Sequence, residues 1–183
     1  MSYTRGHAPE MVPARLGLEP APHRQDASPE RPMVPTVVRW PIDVDPGFER
    51  YHPQDPWEAV VRDSIVAYRE GRTDVARWAW ATDIVWQVAA NGSFSEEHHG
   101  GERIFAYHTR LVRLAEGRFR QILVALEASG GPLIEAHVRT VAQHADRRLD
   151  MPSLIVFELA GSRIRRVTEM PGNHAEWERF WAD

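Results

Sequence analysis

Leu133 to Leu159 reads LIEAHVRTVAQHADRRLDMPSLIVFEL, and its hydropathy alternates with a period of two on both sides of a polar break. Period-two alternation is the mark of a strand with one buried face, and two such runs about a short polar turn make a hairpin. With Asp146 and Arg147 at the tip, Ala145 faces Arg148, Gln143 faces Asp150 and Thr140 faces Ser153. Facing residues share a side of a sheet. One side then carries Ala136, Val138, Thr140, Ala142, His144, Leu149, Met151, Ser153, Ile155, Phe157 and Leu159. The other carries Glu135, His137, Arg139, Gln143, Asp150 and Glu158. The first side is apolar enough to require cover by helices.

The same period extends outward. Phe119 to Ala128 precedes the hairpin across Ser129-Gly130-Gly131-Pro132, and Arg163 to Met170 follows it across Ala160-Gly161-Ser162. Short turns between consecutive strands predict an antiparallel meander. Upstream, the period changes. Asp55 is a good N-cap, Pro56 suits the first helical position, and Trp57, Val60, Val61, Ile65 and Tyr68 recur on one face up to Gly71. A short second helix begins at Thr73 or Asp74 and carries Val75, Trp78 and Trp80. Asp83 to Val88 is rich in β-branched and aromatic residues and predicts a strand. After a polar loop, Asn91 to Gly101, a third helix runs from Glu102 to Ala115, and a last one carries Trp177, Phe180 and Trp181. The expected class is α+β, a curved antiparallel β-sheet wrapped around three N-terminal helices.

Eleven of the 14 prolines lie within residues 1–56. Proline fixes φ and removes a donor, so residues 1–54 are expected to be a largely disordered arm and 55–183 the folded domain. Within the arm, Val37 to Trp40, Phe48 and Tyr51 are apolar enough to lie on the domain as a strap.

The 183 residues carry a formal charge of −4, and the 22 basic residues are all Arg. No basic excess exists to hold a phosphate backbone, so no nucleic-acid partner is expected. The absence of Lys excludes Schiff-base catalysis. The absence of Cys excludes disulfides, thiolate nucleophiles and Cys-based metal sites, and points to a reducing compartment. No apolar run is long enough to span a bilayer, so no membrane is expected, and the predicted location is cytoplasmic.

Four local patterns carry a resemblance. They are Asp83-Ile84-Val85-Trp86-Gln87-Val88, Gly100-Gly101-Glu102-Arg103-Ile104, Ala160-Gly161-Ser162-Arg163-Ile164 and Trp177-Glu178-Arg179-Phe180-Trp181-Ala182. In this order over residues 57–183, the chain resembles the SnoaL-like, ketosteroid-isomerase-like branch of the nuclear transport factor 2-like superfamily. The resemblance implies a cone with an apolar pocket. It also implies a family that includes polyketide cyclases, isomerases, dehydratases and non-catalytic binding proteins. Many relatives have a His where this chain has Gln87, an amide that can hydrogen-bond but is no general base near neutrality.

On the apolar side of the hairpin, Thr140, Ser153 and His144 are the only polar groups. His144, near the strand end, is a candidate general base because its ordinary pKa is close to neutrality. Asp150 is the second candidate, although its register places it on the polar side, where it would be a turn carboxylate beside Arg147 or Arg148. His98-His99 precede the third helix, and His99 is expected at a pocket mouth. No third ligand accompanies them at a useful spacing, so no metal is expected. Tyr68 and Tyr107 lie on helical faces that look inward, and Trp86 is expected in the pocket wall. The resemblance places Gln87 inward and makes the outer sheet face, with Glu135, His137 and Arg139, a surface for a homodimer.

The expected function is that of a cofactor-independent cyclase, isomerase or dehydratase. It would act by acid/base chemistry on a hydrophobic, oxygenated small molecule such as a polyketide intermediate. His144 or Asp150 would be catalytic, with Gln87, His99, Tyr68, Tyr107, Thr140 and Trp86 at the substrate. The alternative is a non-catalytic ligand-binding or dimerisation module.

Overall fold

A computed structural model of the chain describes residues 42–44, 48, 51–90 and 95–182. Four helices and seven strands follow in the order β1 (Ile42–Val44), α1 (Pro56–Arg69), α2 (Thr73–Trp78), β2 (Trp80–Val88), β3 (Glu97–His99), α3 (Gly101–Leu114), β4 (Arg120–Ala128), β5 (Leu133–His144), β6 (Arg147–Ala160), β7 (Arg163–Pro171) and α4 (His174–Trp181). The class is α+β. Val37 to Trp40 lie outside the described residues, whereas Ile42–Val44, within the stretch read as an arm, is a strand of the sheet.

α1 begins as its sequence requires: Asp55 accepts a hydrogen bond from Trp57 N–H at 2.7 Å, and Pro56 opens the helix. It ends before Gly71, whose φ of +75° suits glycine. Trp80, expected on the second helix, instead opens β2, and its indole donates to Ser64 of α1 at 3.0 Å.

One seven-stranded sheet has the order β1-β4-β5-β6-β7-β2-β3. β4 to β7 form the expected meander, but the sheet is mixed, because β1 runs parallel to β4 and β2 parallel to β7. The expected antiparallel sheet is present in the meander, and the parallel pairs at its two sides have a topological reason. β2 and β7 are separated in sequence by α3 and four strands, and a connection of that length permits a parallel pair.

The hairpin tip is Ala145-Asp146, one residue earlier than its expected place, with Ala145 at a φ of +52°. Pairing therefore moves by two: Val141 faces Asp150, Thr140 faces Met151 and Val138 faces Ser153. A shift of two leaves each side chain on its side. Ala136, Val138, Thr140, Ala142, Leu149, Met151, Ser153, Ile155, Phe157 and Leu159 are all buried.

The curl of the sheet is measured by one contact. Gln121 on β4 and Glu169 on β7 are separated by β5 and β6 and lie in rows four residues apart along β5, which in a flat sheet puts their backbones about 20 Å apart. Their side chains meet at 2.6 Å. The concave side so formed is filled by α1 and α3. Tyr68, Trp80 and Phe105 stack there with centroids 4.9–5.7 Å apart. α4 packs its Trp177 and Trp181 by Phe119 at the start of the meander.

Candidate functional site

β7 brings a carboxylate to the middle of the interior. Glu169 is 1% exposed. Its two oxygens accept separate hydrogen bonds, Oε1 from the Gln121 amide at 2.6 Å and Oε2 from the Trp86 indole N–H at 3.3 Å. Both donors favour the ionised form, but burial outweighs them and raises the Glu169 pKa to about 7. The group can thus exchange a proton near neutrality.

α3 adds the groups around it. Tyr107 is buried, and its hydroxyl has no hydrogen-bond partner among the described residues. Burial, reinforced by the charge of Glu169, holds it well above the ordinary phenol range. His108 packs edge-on to Trp86 at 4.7 Å and beside Tyr107 at 5.2 Å, and burial lowers its pKa to about 3, so it is a neutral imidazole. Tyr68 of α1, likewise raised by burial, meets His108 edge-on at 6.2 Å. From β3, the His98 ring stacks on Tyr107 at 4.4 Å. Burial lowers the His98 pKa, while Glu96 opposes that shift.

The structure brings Trp86 to Glu169, sets Tyr107 and Tyr68 around the neighbouring His108, and places Thr140 across the β4–β5 ladder from Gln121; it leaves the other expected residues apart. Gln87, placed inward by resemblance, faces outward. Its ladder neighbours Trp86 and Val88 are the buried ones, and its amide oxygen accepts from Arg166 at 3.3 Å. His99 is exposed beside Glu97, and its neighbour His98 is the inward imidazole. Thr140 is inward and buried, donating to Ser153 at 3.0 Å.

Asp150 lies on the outer face, where Arg139 grips both its oxygens at 2.7 and 2.5 Å. That grip holds its carboxyl below the usual carboxylate range, the opposite of what a base needs. His144 is half-buried at the hairpin end, opposite Arg147. Ala136, on the same strand, shares a row with Ile155 and Glu169. His144 is thus eight residues along β5 from that row and four, roughly 14 Å, from Thr140, which faces Gln121.

Glu169, Gln121, His98 and His108 were not among the expected site residues. A signal existed for Glu169, a carboxylate in a strand that otherwise alternates. Strict alternation from the buried Ile164 turns Glu169 outward, however, and only a bulge, seen where Ile164 pairs Leu159 and Arg166 pairs Glu158, restores it to the interior.

With this geometry, the chain can be set beside known structures. A protein from Burkholderia pseudomallei K96243, named NTF2-like and of unknown function, superposes with a TM-score of 0.57 at 16% identity, covering 71% of this chain and 100% of the other. The fold is NTF2-like. Bal32a, from a soil-derived mobile gene cassette, shares this NTF2-like architecture with a TM-score of 0.63 and 24% identity, over 69% of this chain and 97% of its own. A Jannaschia sp. CCS1 protein described as a SnoaL-like polyketide cyclase gives 0.55 and 14%, over 73% and 99%. No protein-family model matches the chain, and no curated protein does. Among the described residues, no helix of this NTF2-like fold is long and apolar enough to cross a membrane.

Proposed function

We propose that this chain is a cofactor-independent acid/base enzyme of the SnoaL-like kind, acting on a neutral, apolar, oxygenated small molecule. Glu169 takes the place expected for His144 or Asp150. The observation that carries the reading is the buried Glu169 carboxyl, poised near pH 7, whose charge reaches the Tyr107 hydroxyl, a group with no hydrogen-bond partner among the described residues. A base works best with a pKa near the working pH. Glu169 takes a proton from a carbon next to a carbonyl, the Tyr107 O–H donates to the enolate oxygen so formed, and the protonated Glu169 returns the proton. Gln121 and Trp86 hold the carboxyl in position. A substrate carboxylate would meet the Glu169 charge, and among the described residues those that shift Glu169 include no cation, which favours a neutral ligand.

The competing reading is a binding module without turnover. It is favoured by the tight closure of the interior, where Glu169, Trp86 and His108 are almost fully buried.

A probe ketone, 2-tetralone in D2O, separates the two. Wild-type protein is expected to accelerate deuterium uptake at the α-carbon, and Glu169→Gln to lower that rate by about 10²-fold or more. Uptake that is unchanged in Glu169→Gln rejects Glu169 as the base. Binding of 2-tetralone without uptake supports the module.

The outer sheet face fits a second copy of the chain. Its centre is apolar, with Ile122, Val124, Pro152, Leu154 and Val156. One end carries Arg120 and Arg148, with Asp150 already engaged by Arg139. The other carries Glu127, Glu135 and Glu158, the last beside Arg166. A two-fold axis through the centre sets the basic end of one copy on the acidic end of the other.

A further inference from the structure

β3 has three residues and, among the described residues, lies at the edge of the sheet and pairs only with β2. Of the three, only His98 is buried, at 8% exposed. Facing residues share a side, and His98 faces the buried Trp86. Its ring lies on Tyr107 with centroids 4.4 Å apart and planes 25° apart. Its Nε2 has no hydrogen-bond partner among the described residues, the Glu96 carboxylate being 3.9 Å away. The ladder is closed at its ends by two backbone bonds, Val88 N–H to Glu96 C=O at 3.2 Å and Gly100 N–H to Ile84 C=O at 2.7 Å. So short an edge ladder belongs to the least stable part of a fold, and one buried ring supplies its grip on the interior.

We propose that β3 is a lid over the Glu169 site and that the His98 imidazole is its latch, released when it takes up a proton. What the lid covers rests on the reading of Glu169 given above; the latch itself does not. The closed lid holds a neutral ring in an aromatic environment. The groups facing that ring are Glu96 and His99 from its own segment, and Arg103, Tyr107, His108 and Arg110 from α3. Glu96 alone among the charged ones favours the imidazolium; Arg103, Arg110 and His99 oppose it, as does burial. A proton therefore binds the exposed ring better than the stacked one, and acid shifts the equilibrium towards the open lid. Opening bares Tyr107, which feels the charge of the acid, and so gives a ligand a route towards Glu169.

Hydrogen exchange on the full chain tests this. After correction for intrinsic rates, the Val88 and Gly100 amides are expected to exchange roughly tenfold faster at pH 5.5 than at pH 7.5, since pH 5.5 lies one unit below the ordinary imidazole value. His98→Phe keeps a stacked ring without a proton site and should abolish that difference. His98→Gln, which removes the ring, should exchange fast at both pH values. Equal rates in wild type at the two pH values would overturn the lid. The same pH dependence in His98→Phe would assign the opening to another group and overturn the latch. Glu169→Gln separates this from the catalytic reading: it should lose 2-tetralone exchange yet keep the pH-dependent opening.

Discussion

Glu169 and His108 are buried in contact with the same indole, Trp86, and their proton affinities are shifted in opposite senses. Glu169 is raised from 4.5 to about 7, so the folded chain holds a proton that the unfolded chain has lost. Its stabilising contribution is full below about pH 4.5 and disappears as pH rises to about 7. His108 is lowered from 6.5 to about 3. Its contribution is full above about pH 6.5 and is lost as pH falls towards 3. Between about pH 4.5 and 6.5 the two slopes cancel. In Glu169→Gln the His108 slope stands alone, so the variant's stability relative to wild type rises by about 3 kcal/mol from pH 4.5 to 6.5, or about 8 °C in Tm. His108→Phe should show the opposite trend of similar size. Parallel thermal melts across pH check both, and a difference that does not vary with pH would refute the assignment.

At the same scale, Asp150 and Arg139 form an exposed bidentate pair on the outer face. Asp150→Asn should leave any 2-tetralone exchange within about twofold of wild type, because screening keeps such pairs weak and the carboxylate faces away from the interior. A large loss of exchange would return Asp150 to the site.

At the scale of elements, the turn from β7 into α4 is tightly specified. Gly172 N–H donates to Pro152 C=O at 2.9 Å, and a Cβ on Gly172 would sit 2.4 Å from that same oxygen. Backbone cannot give way cheaply, so Gly172→Ala should destabilise by about 1–3 kcal/mol. Asn173, next in the chain, caps α4 by accepting from Glu176 N–H at 3.1 Å. Asn173→Ala should cost about 1 kcal/mol. Urea midpoints of the two variants give both values. Caps and turns of this kind were legible because each depends on residues adjacent in sequence. α1 starts at Pro56 behind Asp55, and β5 spans Leu133–His144 as its alternation predicts. Bulges were not legible. One interrupts β4 between Leu123 and Ala125 and another interrupts the β6–β7 pairing, and each reverses the parity of all that follows.

At the scale of the whole molecule, the outer face and the lid make separate demands. Val124 is 57% exposed at the centre of the apolar outer patch. Val124→Asp should convert a sheet-to-sheet dimer to monomer in sedimentation equilibrium, with melts unchanged once dissociation is allowed for. A wild-type chain that sediments as a monomer would remove the dimer.

The α+β class, the order of the helices and strands, and the half of the central hairpin that turns inward are all readable from the chain without its fold. These follow from local periodicity, and an error of one residue in the hairpin tip left the faces intact because it moved the pairing by two. The site, by contrast, exists only in the folded chain. Glu169 and Gln121 lie 48 positions apart on strands with two others between them, and they touch because the sheet curls. The Glu169 proton affinity is set by burial, which is a sum over the whole interior and belongs to no stretch of the chain.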